Sequence, residues 1–405
     1  VEEGRNVALC DDLGMASALR TIDGFSCEGK RVLVRVDFNV TIERERIVDD
    51  FRIRAAIPTI RELKRRGAKA VVLLSHLGRP DGYREDLSLR PIAATLSELL
   101  GEPVSFVEEC VGAKARMASA AASEGAVLLF ENLRFHPEEE RNDPAFASAL
   151  AELGDAFVND AFGASHRAHA SVVGITAFLP SAAGKLLVRE VEVLTKVREH
   201  PDTPFVAVMG GAKISDKLPI LARFLPRVSA LCVGGALANT ILKARGVSLG
   251  ASLVEDAMLE EVSERIADDP KLLLPSDAVV SQDPTGAGPV RMCDITEVRS
   301  DEFILDIGPK TRARFAEAIN GARMVFWNGP MGRAEVAPFR GGTDAIAFAV
   351  ANAQAFSVVG GGDTTRYPLE LGLADRIGFL STGGGAMLEF LSGKPLPGIE
   401  VLISR

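Results

Sequence analysis

A chain of 405 residues, 47% hydrophobic and 25% charged, is long enough for two domains with sizeable cores and has none of the bias of a disordered protein. Its formal net charge of −9, from 46 basic and 55 acidic residues, argues against nucleic acid as the main partner, so positive charge used on an anionic ligand must be local. Five scattered cysteines (Cys10, Cys27, Cys110, Cys232 and Cys293), none in C-x-x-C spacing, disfavour disulfide and zinc frameworks and fit a reduced cytosolic protein.

Strand and helix signals alternate from the first apolar run. RVLVRVDFNV (31–40) reads as a buried strand, IRAAIPTIRELKRRG (53–67) as a helix and AKAVVLLS (68–75) as a second strand. SLRPIAATLSELLG (88–101) reads as a helix, and a further βα stretch leads to GAVLLFENLRF (125–135). A helix over 182–204, ended by Pro201 and Pro204, joins two halves. Beyond it, five apolar runs of strand length stop at glycines: FVAVMGG, ALCVGG, MVFWNGPMG, FSVVGGGD and GFLSTGGG. The alternation predicts an α/β fold: two Rossmann-like three-layer domains with mainly parallel sheets, joined by a hinge helix. The tail AMLEFLSG-KPLPGIEVL packs on one half or the other; spacing does not say which. No apolar run approaches the roughly 18 residues of a membrane span, and the acidic start VEEGRN lacks a secretory segment.

In an open parallel sheet, ligands sit beyond the carboxyl ends of the strands. In the first half those ends carry Asp37-Phe38-Asn39, then Ser75 to Pro80, then Glu131 to His136, then Ser165-His166-Arg167-Ala168-His169. With Arg52 at the start of the first crossover helix, parallel packing brings Arg52, His76, Arg79, Arg134, His166 and Arg167 to one mouth. Guanidinium forks fit phosphate and carboxylate, so the set reads as a cup for a multiply charged anion. Taken singly, each arginine reads equally well as a surface residue paired with a carboxylate. Arg35, inside its strand, reads as structural.

In the second half the strand ends are glycine-rich, which lets backbone N–H groups approach phosphate oxygens. Lys213 and Lys217, four apart after Gly210-Gly211, share a face if a helix begins there, near its positive end. The spacing is not that of a Walker A loop, and a plain surface helix start fits the same residues. Asp363, after three glycines, is the metal candidate; capping the following helix is the other reading. Glu335, with Asn328 and Pro330 in another strand-end loop, is placed to accept ribose hydroxyls, or is an exposed loop carboxylate. No G-x-S-x-G, H-E-x-x-H or cysteine–histidine signature is present. The chain offers positioning and positive charge, which direct phosphoryl transfer mainly requires.

RVDFNV, SHLGRP, ENLRFH, FVNDAFGASHRAHAS, GGAKISDK, WNGP, GGGDTT and STGGGA, in that order and spanning nearly the whole chain, resemble the motif set of the phosphoglycerate kinase family. The resemblance implies an N-terminal domain, 1–183, that binds 3-phosphoglycerate or 1,3-bisphosphoglycerate. It implies a C-terminal domain, 184–387 with the linker helix, that binds Mg-ADP or Mg-ATP, and a tail from about 388 to 405 that returns to the first domain. Asp37, Asn39, Arg52, His76, Arg79, Arg134 and Arg167 become the acid-substrate residues, with His166 beside them. Lys213, Lys217, Gly235, Gly308, Asn328, Pro330, Glu335, Gly360, Gly361, Gly362, Asp363 and Thr364 become the nucleotide residues, with Asp363 holding Mg2+.

The implied reaction is the reversible glycolytic and gluconeogenic transfer between acyl phosphate and ADP, without a phosphoenzyme and after hinge closure, in a cytoplasmic monomer. Arg52, Lys217, Lys213 and the helix N-termini at Gly362 and Gly385 would stabilise its transition state. Thr41 departs from the family's usual proline, and Arg333-Ala334 stand where bulkier apolar residues are frequent. About 20 residues precede the usual start near Thr21 and have no assigned role. Two rivals are another small-molecule carboxylate kinase and a non-catalytic binder of a phosphometabolite or nucleotide. A Rossmann dehydrogenase is disfavoured, because no G-x-G-x-x-G opens a βαβ unit.

Overall fold

The computed structural model describes residues 18–44 and 46–404; Cys10 and most of the N-terminal extension lie outside them. The chain divides into two compact units. The first runs to Thr195 and takes back the chain from Lys394 onward; the second is Lys196–Gly393.

The first unit is built on six strands: β1 (Arg31–Arg35), β2 (Ala70–Leu74), β3 (Val104–Val107), β4 (Ala126–Phe130), β5 (Ala156–Asn159) and β6 (Ser181–Ala183). Their order is β3-β4-β2-β1-β5-β6, and every neighbouring pair is parallel. The inner strands β2 and β4 are continuous apolar runs because both faces are covered, whereas the edge strand β3 (VSFV) is only partly buried. Val32, Val34, Val71 and Leu73 enter one core, while Leu33, Val72 and Leu74 enter the other, as the two-residue period of a strand requires. Helix Phe51–Arg65 belongs to the first of these cores through Ile53, Ile57 and Ile60.

The second unit repeats the plan. Strands β7 (Phe205–Met209), β8 (Ala230–Val233) and β9 (Leu272–Leu273) precede a separate sheet of β10 (Asp277–Ser281), β11 (Arg291–Asp294) and β12 (Phe303–Ile307). Strands β13 (Met324–Asn328), β14 (Phe356–Val359) and β15 (Phe379–Leu380) complete the main sheet, whose order is β9-β8-β7-β13-β14-β15, all parallel. The three-stranded sheet β11-β10-β12 is antiparallel and was not foreseen from the sequence.

Helix Lys185–Glu199 connects the two halves of the chain. Its start is fixed by Asp160, whose Oδ1 accepts the N–H groups of Leu186 at 2.9 Å and Leu187 at 3.2 Å. The division between units falls inside this helix, between Thr195 and Lys196, where the sequence suggested 183/184. Helix Gly384–Ser392 stays with the second unit, and the chain returns to the first only from Lys394. There Gly398 N–H donates to Ser165 O at 2.9 Å, Asn159 Nδ2 donates to Gly398 O at 3.2 Å, and Arg20 N–H donates to Leu402 O at 2.9 Å.

Candidate active site

Because β4, β2, β1 and β5 are parallel neighbours, the loops leaving their carboxyl ends open on one edge of the first unit. Buried hydrogen bonds then sew these loops together. Asn132 Nδ2 donates to Leu77 O at 2.8 Å, and its Oδ1 accepts the N–H of Leu77 at 3.2 Å and of Arg134 at 3.0 Å. Glu131 accepts the Leu89 N–H at 2.9 Å and the Ser88 hydroxyl at 2.7 Å, and Ser75 Oγ accepts the Phe38 N–H at 2.9 Å.

On this frame stand the expected side chains. Arg52 Nη1 donates to Asp37 Oδ2 at 2.9 Å, and Asn39 Oδ1 accepts the Gly78 N–H at 2.9 Å. Arg134 donates from Nη1 to Gly78 O at 2.7 Å and from Nε faces Glu140 at 3.1 Å. Burial pulls the Arg134 pKa down to about 10, with Glu140 opposing the shift and Arg35 and Arg167 adding to it. The guanidinium therefore keeps its charge at neutral pH. Arg167 donates from Nε to His166 Nε2 at 3.1 Å, so His166 supports Arg167. Arg79 is exposed and carries no ion pair among the described residues.

His76 differs from its expected part in a cationic cup. It is buried, and burial, followed by Arg35, Arg134 and Arg52, holds its pKa well below the ordinary histidine range. It is a neutral imidazole. Its Nδ1 accepts from Arg35 Nη2 at 3.0 Å, and its Nε2 lies 4.0 Å from Asp37 Oδ1.

In the second unit the glycine-ended strands β7, β8, β13 and β14 pack their loops together. A Cβ on Gly210 would run into Pro330 O and come 2.6 Å from Met331 Cε; one on Gly235 would lie 2.8 Å from Gly211 O. A Cβ on Gly360 would strike Met387 Sδ. Gly361 has φ +109 and a Cβ there would lie 2.5 Å from Asn328 Nδ2, so both backbone and space demand glycine. Gly362 is different: nothing lies within 4 Å of a Cβ there. It opens helix Gly362–Glu370, as Gly235 opens Gly235–Ala244; Gly385 is the exposed second residue of Gly384–Ser392.

Lys213 and Lys217 do not share a helix face. The helix begins only at Leu218, with Pro219 in its first turn, and 210–217 is an irregular loop. Glu255 holds that loop by accepting the N–H of Ile214, the N–H of Ser215 at 3.1 Å and the Ser215 hydroxyl at 2.8 Å. Lys217 folds back so that Nζ donates to Gly210 O at 2.5 Å, over the Gly211 and Gly329 backbone. Burial lowers its pKa to about 8, with Asp216 and Asp363 acting the other way. Lys213 is exposed.

Asn328 is buried and donates from Nδ2 to Gly360 O at 2.6 Å, and its Oδ1 has no hydrogen-bond partner among the described residues. Thr364 is buried too, and its hydroxyl accepts the Gly329 N–H at 2.7 Å, so it ties two loops together. A cavity of about 420 Å3 opens between Gly211, Gly235, Leu253, Leu305, Pro330 and Glu335. Glu335 at its rim pairs with Arg333 at 3.1 Å. Gly308 is not among the residues lining the cavity; it packs on Asp277, whose carboxylate accepts the Lys310 N–H at 2.9 Å and the Thr311 N–H at 2.8 Å. Asp363 is exposed in the first turn of helix Gly362–Glu370 and makes no hydrogen bond or ion pair among the described residues. Such a lone carboxylate suits a cation that completes its shell with phosphate oxygens and water.

Arg35 is the structural residue expected from its place inside a strand, but its partners Ser171 and Glu139 beneath His76, and Glu255 beneath the Lys213–Lys217 loop, were missed. Their partners are too distant in sequence for spacing to reveal.

The profile of the family described as "Phosphoglycerate kinase" matches residues 22–394. The phosphoglycerate kinase of Thermomicrobium roseum is 50% identical, over 96% of this chain and 100% of its own length. That of Moorella thermoacetica is 50% identical, over 95% of this chain and 99% of its own. Among solved structures, phosphoglycerate kinase from Coxiella burnetii superposes with a TM-score of 0.81 at 39% identity, covering 95% of this chain and 98% of its own. The Pyrococcus horikoshii OT3 enzyme gives 0.85 at 33% identity, covering 95% and 99%.

Proposed function

The chain belongs to the phosphoglycerate kinase family, and on that premise we propose how its residues divide the transfer of a phosphoryl group between ATP and the carboxylate of 3-phosphoglycerate. The observation that carries the reading is the pairing of two strand-end sites of complementary chemistry, one in each unit. The first offers Arg52 and Arg134 near a neutral His76, with Arg79 and Arg167 on the neighbouring strand-end loops. The second offers glycine backbone, Lys213, Lys217 and a lone Asp363 beside an apolar cavity.

The acid substrate lies with its phosphate against Arg79, Arg134 and Arg167, and with its carboxylate end towards Arg52, Asp37 and Asn39. The nucleotide base enters the cavity between Gly235 and Pro330, its ribose meets Glu335, and its phosphates reach Lys213, Lys217, Gly362 and the helix N-terminus there. Gly360, Gly361, Asn328 and Thr364 shape this loop, and Gly308 supports the neighbouring sheet. Asp363 would hold Mg2+, which neutralises charge on the transferring phosphates.

In the ATP-consuming direction a carboxylate oxygen of the acid forms the new P–O bond as the bond to the ADP oxygen breaks. No protein group is phosphorylated, and none is placed as a nucleophile. Arg52, Lys217 and the N-termini at Gly362 and Gly385 stabilise the charge spread over the transferring oxygens. The two sites belong to different units, so closure about the connecting helix brings the reactants together and excludes water. Scattering in solution should show compaction only when both substrates are present. We place the protein in the cytoplasm, a reading supported by the buried free thiols of Cys27, Cys110, Cys232 and Cys293, and take it to act as a monomer.

The test is ATP- and Mg2+-dependent phosphorylation of 3-phosphoglycerate, coupled to NADH oxidation by glyceraldehyde-3-phosphate dehydrogenase. Turnover is expected. Its absence, or turnover only with another carboxylic acid, defeats the reading.

A further inference from the structure

A buried polar chain lies beneath the arginines of the first unit. Arg35, the last residue of β1, is fully buried, and a guanidinium does not shed its charge inside a protein, so it needs acceptors and a counter-charge. It donates to the Val36 carbonyl, from Nε to Ser171 Oγ at 2.8 Å and from Nη2 to His76 Nδ1 at 3.0 Å. Ser171 passes the link on, its hydroxyl donating to Glu139 Oε1 at 2.5 Å and its N–H to Oε2 at 2.9 Å. Glu139 is fully buried as well. Burial raises its pKa and Arg35 opposes that most strongly.

The chain has a single polarity. A guanidinium only donates and a carboxylate only accepts, so the one hydroxyl proton of Ser171 is committed to Glu139 and His76 Nδ1 must be the acceptor. The imidazole proton is left on Nε2, the nitrogen 4.0 Å from Asp37 Oδ1. Asp37 in turn holds Arg52 at 2.9 Å. Arg134 also opposes the effect of burial on Glu139, and His169 lies nearby. Its Nδ1 is 3.8 Å away, beyond hydrogen-bond range, and burial keeps it neutral, so it adds no counter-charge.

We propose that Glu139 is a positioning residue: through Ser171 and Arg35 it locks His76 as the Nε2–H tautomer, which keeps that N–H dipole facing Asp37 across 4.0 Å, too far for a direct hydrogen bond, beside the Asp37–Arg52 pair that receives the acid substrate. The part of this that concerns substrate rests on the assignment of the site to 3-phosphoglycerate. A buried ion pair that served only stability would make the same contacts, so the test must read more than stability.

Ser171→Ala removes the link while keeping both charges, so the Arg35 guanidinium, no longer held at Nε, swings towards Glu139 and releases His76 Nδ1. Ser119→Ala is the control, an equally buried serine of the same unit whose hydroxyl bonds the Leu153 carbonyl. The chain has five histidines, few enough to assign by nitrogen NMR of the full-length, 15N-histidine-labelled protein without substrate. His76 should be a single Nε2–H tautomer in the wild type and in Ser119→Ala, and a mixture in Ser171→Ala. The KM for 3-phosphoglycerate should rise about tenfold in Ser171→Ala, with the KM for ATP changed less than about twofold. Ser119→Ala should lower Tm and leave both KM values alone. Glu139→Gln should behave as Ser171→Ala does; if it does not fold, Ser171→Ala decides. An unaltered tautomer, or an unaltered KM for the acid, in Ser171→Ala overturns the proposal. The tautomer measurement needs no turnover, so a locked His76 in a wild type that ignores 3-phosphoglycerate defeats the substrate assignment and not the lock.

Discussion

The Arg52 guanidinium is held at 2.9 Å by the buried Asp37 carboxylate, two residues beyond the end of strand β1. On the proposed assignment, the cation that meets the transferring phosphoryl group is held in place before substrate arrives and need not be ordered anew.

Removing that cation should strike the chemical step. Arg52→Ala is expected to cut kcat by at least ~100-fold, the scale of losing a transition-state charge clamp. Steady-state kinetics with both substrates varied decides it. A variant altered only in KM would make Arg52 a binding residue.

The glycines fall into two classes that mutation should separate. Gly362→Ala meets no neighbour and lies at the first residue of its helix, so it should fold with a nearly unchanged Tm. It should nevertheless raise the KM for ATP, because on the proposed assignment the new methyl stands where phosphate approaches. Gly210→Ala must push the Pro330 loop aside and should lower Tm clearly. Thermal melts and ATP kinetics on the pair provide the check; equal loss of Tm in both would contradict the distinction.

Lys217 links binding to protons. Its folded pKa of about 8 lies below the ordinary 10.5, so the folded state binds fewer protons than the unfolded chain between those values. Stability therefore rises with pH across that window, and the cost of burying the ammonium is felt in full below about pH 8. Nucleotide phosphates favour the charged form, so binding at pH 8.5 should take up a fraction of a proton, approaching zero at pH 6.5. Calorimetry of ATP binding in buffers of different ionisation enthalpy reads this directly. No buffer dependence at pH 8.5 would show that the phosphates do not meet Lys217.

Asp363→Asn keeps the shape of the side chain and removes its charge. The Mg2+ concentration for half-maximal turnover should rise about tenfold while the KM for 3-phosphoglycerate stays put. A titration that matches the wild type would reduce Asp363 to a residue of the first helical turn.

The strand ends were legible because apolar runs of strand length break at the same chemistry each time, arginine and histidine in one half and glycine in the other. Parallel order then brings Arg52, His76 and Arg134 together without any further information. The neutral state of His76 was not legible, since it depends on Arg35 Nη2, which meets it across 41 positions of sequence. Nor was the antiparallel sheet β11-β10-β12: its strands are short, and β11 alternates exposed and buried residues on a polar segment, Arg291–Asp294. The Lys213–Lys217 spacing suggested a helix, but Leu218-Pro219 sets the start later and Glu255 takes the backbone N–H groups of Ile214 and Ser215 instead. Glu139 stood in a run of three glutamates that looks solvent-facing, yet it is the fully buried one.

The central claim is direct transfer between two substrates, each held by its own unit, with no phosphorylated side chain between them. Its most direct test is the stereochemical course of the reaction with ATP whose γ-phosphoryl group is made chiral by oxygen isotopes. A single in-line displacement predicts inversion at phosphorus in the acyl phosphate formed; retention would require a covalent phosphoenzyme and contradict the account.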